Sequence, residues 1–275
     1  MMFAATRIST AVSMASRRNG AWWLTAVCGG AVLLSQTGGA AAAGCLDLPV
    51  QGEGVVASVI DPRTLRLADG REIRLAGIEP SRERYDAEVA ALSALTLGRK
   101  VSLHGPDDGP DRYGRQAAFV VTEPGRELVQ RRLLAEGGAL VGIDVLPADC
   151  RKDLLAAEAG ARAGAVGIWM ARDVIKNAAN SGDMVTRIGR FTVVEGRISS
   201  VREVGATVYL NFGGRWTRGF AVTISRRIIG SFEAAGLAPK SLTGQRIRVR
   251  GWVEKRAGAS MAVRDVGQIE RTGGD

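Results

Sequence analysis

Histidine, cysteine and aromatic side chains are scarce in this 275-residue chain. The single histidine, His104, would have to carry any histidine-built zinc site or serine–histidine triad alone, and no partner pattern supports either. It is expected at a strand end on the surface. Aromatics make up 5% of the residues, too few for a protein that grips a strand by stacking many bases. The three cysteines, Cys28, Cys45 and Cys150, lack metal-ligand spacing. The apolar run from Ala21 to Leu34 is shorter than the ~20 residues that span a bilayer.

What is present begins with a leader. In the first 43 residues, Arg7, Arg17 and Arg18 form a positive start. The apolar run follows, with Trp22, Trp23 and Leu24, and then small residues from Gly38 to Ala43 of the kind cleaved after a signal peptide. An uncleaved anchor is the alternative. Asn19-Gly20 continues Arg17-Arg18 poorly for twin-arginine export, so the expectation is ordinary secretion to the periplasm or beyond, with no membrane span in the mature chain. Losing the leader's three arginines leaves 34 basic against 28 acidic residues, net +6. That balance favours an anionic partner, although many solvated surfaces carry as much.

Cys28 leaves with the leader. An even pair in an oxidising compartment, Cys45 and Cys150, points to a disulfide. It would close a loop of about a hundred residues and contribute roughly 3–5 kcal/mol. A lipid anchor at Cys45, after Ala42-Ala43-Gly44, is the second reading.

Hydrophobic content of 46% supports a packed core. Gly54–Ile60 reads as a strand, and Thr64–Leu67 and Glu72–Ile78 as a hairpin about Asp69-Gly70, with Ile73 and Leu75 inward and Arg74 outward. Arg84–Leu97 reads as a helix with Val89, Leu92 and Leu95 on one face and Gly98 as its stop. Strands follow at Val101–Leu103 and Ala117–Val121, then helices at Arg126–Glu136 and Asp149–Ala165, where Glu158 and Arg162 form an i,i+4 pair. Residues 171–189 read as a linker. Beyond it, strands at Phe191–Val201, Thr207–Phe212, Phe220–Ile224, Arg246–Val253 and Met261–Val266, with a helix at Ile228–Ala235, follow the order of an OB barrel. Arg246, Arg248 and Arg250 alternate on one strand face, with Arg215, Arg218, Arg226 and Arg227 nearby. This is either a basic surface for single-stranded nucleic acid, with Trp216, Tyr209 and Trp252 to stack, or a solvated face over core aromatics.

Three motifs carry a resemblance: Ile60-Asp61-Pro62-Arg63-Thr64 with Ile73-Arg74-Leu75-Ala76-Gly77-Ile78; Asp111-Arg112-Tyr113-Gly114-Arg115; and Glu158-Ala159 with Gly167-Ile168-Trp169. Together they resemble the thermonuclease (staphylococcal-nuclease-like) family over about residues 50 to 170. The resemblance implies an OB barrel with three helices at 50–170, which with the linker at 171–189 and the second small OB-like barrel at 190–272 read from the strand order makes the expected fold β-rich α+β. The resemblance also implies cleavage of DNA or RNA phosphodiesters with one calcium ion.

Carried over position by position, Arg74 and Arg115 match the two phosphate-gripping arginines, with Arg112 and Tyr113 beside the second. Glu79 matches a metal-ligand acid, and Asp61 an acid behind the ligands. The first-loop metal acid falls on Arg63, and the catalytic glutamate falls near Ser81, with Glu83 two residues on as a stand-in. The family's base-stacking aromatic is missing, with Ile143 near its place. Calcium hydrolysis is therefore expected to be weakened or lost. Arg63, Arg74 and Arg115 would then form a phosphate cradle in which Arg63 takes the cation's charge role, or else they serve only structural ion pairs. The alternatives are an active nuclease with a site rebuilt from Asp61, Glu79 and Glu83, and a non-catalytic envelope interaction module.

Overall fold

The computed structural model describes residues 44–144, 146–213 and 219–273. The leader, Arg215, Trp216 and Arg218 lie outside the described residues. Among those described, no helix is long and apolar enough to cross a membrane.

The first sheet is built by alternation. Strands β1 (Val50–Asp61), β2 (Thr64–Leu67) and β3 (Glu72–Leu75) form a meander. Leu65, Leu67, Ile73 and Leu75 are buried, while Arg74 faces out as its place in the pattern requires. Gly70 closes the β2–β3 turn at φ +90°, a conformation that glycine adopts without a Cβ clash. After β4 (Ile78–Pro80) and helix α1 (Tyr85–Thr96) come β5 (Lys100–His104) and β6 (Arg115–Thr122). β6 pairs with β5 and, in parallel, with β3, while β5 returns to β1, so the sheet closes on itself. Bulged register shifts in β1 bend that strand between its two partners.

The short β7 (Glu127–Leu128) precedes α2 (Val129–Ala135), β8 (Ala139–Val141) and α3 (Ala148–Ala163). Buried Gln130 fixes α2 to the barrel, donating to Ala118 O at 2.8 Å and accepting from Val120 N–H at 3.1 Å. Cys45 and Cys150 form a disulfide that fastens the start of the described chain to α3. The Cys45 sulfur is thereby committed to Cys150.

Residues 171–189 carry β9 (Ile175–Asn177) and α4 (Ser181–Thr186). The second sheet then runs β10 (Phe191–Val204), β11 (Thr207–Phe212), β12 (Ala221–Ser225), helix α5 (Ile229–Ala234), β13 (Arg246–Lys255), β14 (Ala259–Val263) and β15 (Ile269–Arg271). The pairings β10–β11–β12–β14–β13–β10 close a ring, with only β12–β14 parallel. Five strands with a helix after the third is the OB order read from the sequence. The fold is a β-rich α+β chain, with an OB-like barrel followed by a β extension that closes in the same way.

Two sequence expectations fail because tertiary neighbours cover the residues, one at His104 and one at Arg248 and Arg250. His104 is 5% exposed, with its ring nitrogens 3.1 Å from Leu48 O and Ser102 Oγ. On α1, Leu92 is fully buried and Leu95 packs against the core, and Glu88 and Thr96 are buried beside them. The alternating arginines of β13 are no open basic face. Arg246 and Arg248 share Glu195 at 2.7 and 2.8 Å, and Arg250 is fully buried.

Arg250 reaches from the second barrel into the first. It grips the α3 carboxylate of Glu158 with both terminal nitrogens, at 2.9 and 3.1 Å, and donates to Glu270 at 2.5 Å and to Val141 O at 3.2 Å. Glu158 also accepts the Val141 N–H at 2.6 Å. The expected helix partner, Arg162, stands 3.8 Å away. A bidentate pair out of water is strong only while both charges are present. Arg250→Met should therefore lower unfolding free energy by about 3–5 kcal/mol, because it strands a buried carboxylate. Removing both charges in Arg250→Met/Glu158→Gln should cost less than the two single changes added together. Urea denaturation midpoints of the three variants check this, and simple additivity would refute the coupling.

Candidate functional site

β2, β3 and the loop into β4 gather the expected residues on one barrel face. Thr64 and Arg74 are cross-strand partners, and Arg115 on β6 lies opposite Glu72. Arg74, two residues beyond Glu72, is thus a diagonal neighbour of Arg115 on the same face. The tight turn before β4 depends on Gly77, at φ +75°, where a Cβ would meet Leu154, Phe119 and Leu146 at 3.1–3.3 Å. Gly77 N–H donates to Asp144 at 2.7 Å.

Each arginine faces a carboxylate. Arg63 binds Glu79 directly and donates to Ile78 O at 3.1 Å. Arg74 is held loosely, 3.9 Å from Asp144. Arg115 binds Asp111 through two nitrogens at 2.9 and 3.2 Å. Burial pushes the Glu79 carboxyl up, against the pull of Arg63 and Arg74. Asp111 is held below its ordinary value, its slight desolvation outweighed by hydrogen bonds from Arg115 and the Tyr113 backbone. Tyr113 is 64% exposed, with the guanidinium carbons of Arg112 and Arg115 at 4.7 and 5.0 Å from its ring centre. Arg112 also donates to its hydroxyl at 2.6 Å.

Arg63, Arg74 and Glu79 therefore come together, with Arg115, Arg112 and Tyr113 alongside. The other two acids turn away. Asp61 accepts the Arg63 backbone N–H at 2.8 Å, shaping the first loop. Glu83 receives the Ser81 hydroxyl at 2.8 Å and faces Arg187 and Arg190 at 3.5 and 3.3 Å. The Ser81 hydrogen bond, foremost, holds Glu83 below its ordinary value. Sequence reasoning missed Asp144, since nothing in its spacing ties it to Gly77 and Arg74.

It also missed Glu88, which lies under the segment following Glu79. Glu88 is 3% exposed; one oxygen accepts the Ser81 N–H at 3.3 Å and the other has no hydrogen-bond partner among the described residues. Burial pushes its carboxyl up from 4.5 to about 8.

A family model described as staphylococcal nuclease homologue matches residues 67–171. That span contains Arg74, Glu79, Glu83, Arg112, Tyr113 and Arg115, and it begins after Asp61 and Arg63. No curated protein matches the chain.

The Glu88 environment generates a pH prediction. A carboxyl whose folded value is raised keeps its proton in the folded state while the unfolded chain has lost it. Its stabilisation is therefore complete below pH 4.5 and declines as pH rises to about 8. Glu88→Gln, which keeps the acceptor for Ser81, should flatten that decline. The variant should be more stable than the parent at pH 8.5, with the gap closing towards pH 4.5, as read by urea denaturation across pH. Parallel curves would refute the buried neutral acid.

Proposed function

We propose, for a chain that carries a staphylococcal nuclease homologue domain over residues 67–171, an exported protein that binds nucleic-acid phosphates and whose calcium-dependent phosphodiester hydrolysis is weakened or lost. The observation that carries this reading is the Arg63 guanidinium seated on the Glu79 carboxylate. Arg63 neutralises the acid from inside the protein, where a bound cation would otherwise do so.

The residues present do not fit a calcium ion, which takes about 6–8 oxygen ligands. Among the described residues, no group of three or more His, Cys, Asp or Glu side chains is arranged to hold a metal. Asp61, Glu79 and Glu83 have separate partners: a backbone amide, Arg63, and the Arg187/Arg190 pair.

Phosphate binding needs less. Among the described residues Arg74 has one ion pair, at 3.9 Å to Asp144, and so keeps its donors for an incoming oxygen. Arg115 spends two nitrogens on Asp111, which orients the guanidinium, and retains further N–H groups. The exposed Tyr113 ring offers a neighbouring base a face to stack on. The leader and the Cys45–Cys150 disulfide support export to an oxidising compartment.

Labelled single-stranded oligonucleotide should bind the purified chain equally in calcium and in EDTA, with affinity falling as salt rises. Arg74→Ala and Arg115→Ala should each weaken binding by about tenfold, the loss of one charge-assisted contact. Fluorescence anisotropy reads both effects, and gel analysis over hours reads cleavage. Calcium-dependent cutting that Arg115→Ala abolishes would overturn the weakened-hydrolysis reading. Loss of binding in EDTA would overturn the metal-free grip.

A further inference from the structure

β4 has a second neighbour besides the arginine cluster. Between the segment Glu79–Arg84 and the second barrel lies a cleft of about 470 Å³, within the range of small-molecule sites. One wall carries Arg187 and Arg190; another is apolar, built on Phe191, Trp252 and Met170. Phe191 and Trp252 meet edge to face at 6.0 Å, and Met170 is 72% exposed.

The charges in the cleft are unevenly matched. Arg187 and Arg190 both turn to the same oxygen of Glu83, at 3.5 and 3.3 Å. Those distances are long for charge-assisted bonds, which close to about 2.7–2.9 Å. The other Glu83 oxygen is taken by the Ser81 hydroxyl. Two guanidinium groups thus share one half-engaged carboxylate that is itself 59% exposed, while Asp173 on the same lining is bonded to Lys176 at 2.6 Å and reaches Arg187 only through its charge. An anion richer in oxygen than a carboxylate would satisfy both better, and Glu83 fills the place such a group would take.

We propose that this cleft is a second nucleotide subsite, in which Arg187 and Arg190 hold a phosphate and the wall of Trp252, Phe191 and Met170 receives its base. The proposal rests on the phosphate-binding reading of Arg74 and Arg115, and it supplies a base platform on the added barrel. Glu79 and Pro80 line the cleft while Glu79 also faces Arg63, so the two sites adjoin across β4. A planar base with an attached phosphate matches an apolar wall beside paired guanidinium groups, whereas a metal cation or an acidic peptide would leave one or the other unused.

The test compares the purified chain with Arg187→Gln/Arg190→Gln and with Glu83→Gln. The probe is a labelled single-stranded oligonucleotide of about 12 nucleotides, within the span that one small barrel holds. Anisotropy is measured in EDTA across salt. The arginine double variant should bind about tenfold more weakly, with a salt slope smaller by about 0.7 for the phosphate it no longer holds. Glu83→Gln, which frees both arginines from their shared carboxylate, should bind about threefold more tightly. A misfolded variant cannot gain affinity, so this second result guards the first. If the double variant and Glu83→Gln bind like the parent while Arg74→Ala weakens binding, the cleft proposal falls and the phosphate-binding reading stands. If the parent chain binds no oligonucleotide, both fall.

Discussion

The structure turns on a guanidinium and a carboxylate shut away from water. Arg250 and Glu158 come from different barrels and are both fully buried. Removing either charge would leave the other buried and poorly matched, so the pair favours the arrangement in which the two barrels meet here. Its reach extends to the arginine cluster. Glu158 accepts from Val141 on β8, and Arg250 donates to the carbonyl of the same residue. β8 pairs in turn with β4, placing Leu140 opposite Glu79. The second barrel therefore braces the strand that carries the acid at the arginine cluster.

The same logic of pairing governs that cluster at lower burial. Arg63, Arg74 and Arg115 each face a carboxylate, yet the three pairs differ in closeness. Arg63 and Glu79 are joined directly and largely covered, which ties the first loop to β4. The loose Arg74–Asp144 pair leaves charge that water and ligands can reach. A single face thus contains one arginine that serves the fold and two with donors to spare, and the difference lies in distance and burial. Around the corner of β4, Glu83 repeats the theme, holding two arginines with one oxygen.

Much of this was legible in the chain. The alternation of Leu65, Leu67, Ile73 and Leu75 around Asp69-Gly70 specified the hairpin and turned Arg74 outward, because side chains on a strand repeat every two residues. Arg115 was found through its short motif, and Cys45 and Cys150 through elimination and compartment. The second barrel followed from the order of its strands and helix. Alternation misled on β13, where charge at every second position suggested water. Glu195, Glu270 and Glu158 from three other elements pair with those arginines instead, and while Arg246 stays in water, Arg248 and Arg250 are covered.

The sequence by itself determined the local periods, the turns, the candidate arginines and the order of the two barrels, since these depend on neighbours within a few residues. Only the tertiary structure decided which acid each arginine meets, that Glu88 and His104 are buried, and that a cleft opens between β4 and the second barrel. Those outcomes join residues such as Glu158 and Arg250, or Glu83 and Arg190, which lie far apart along the chain. A charge's solvation and its partner are properties of packing, and no pattern of spacing along one segment records them.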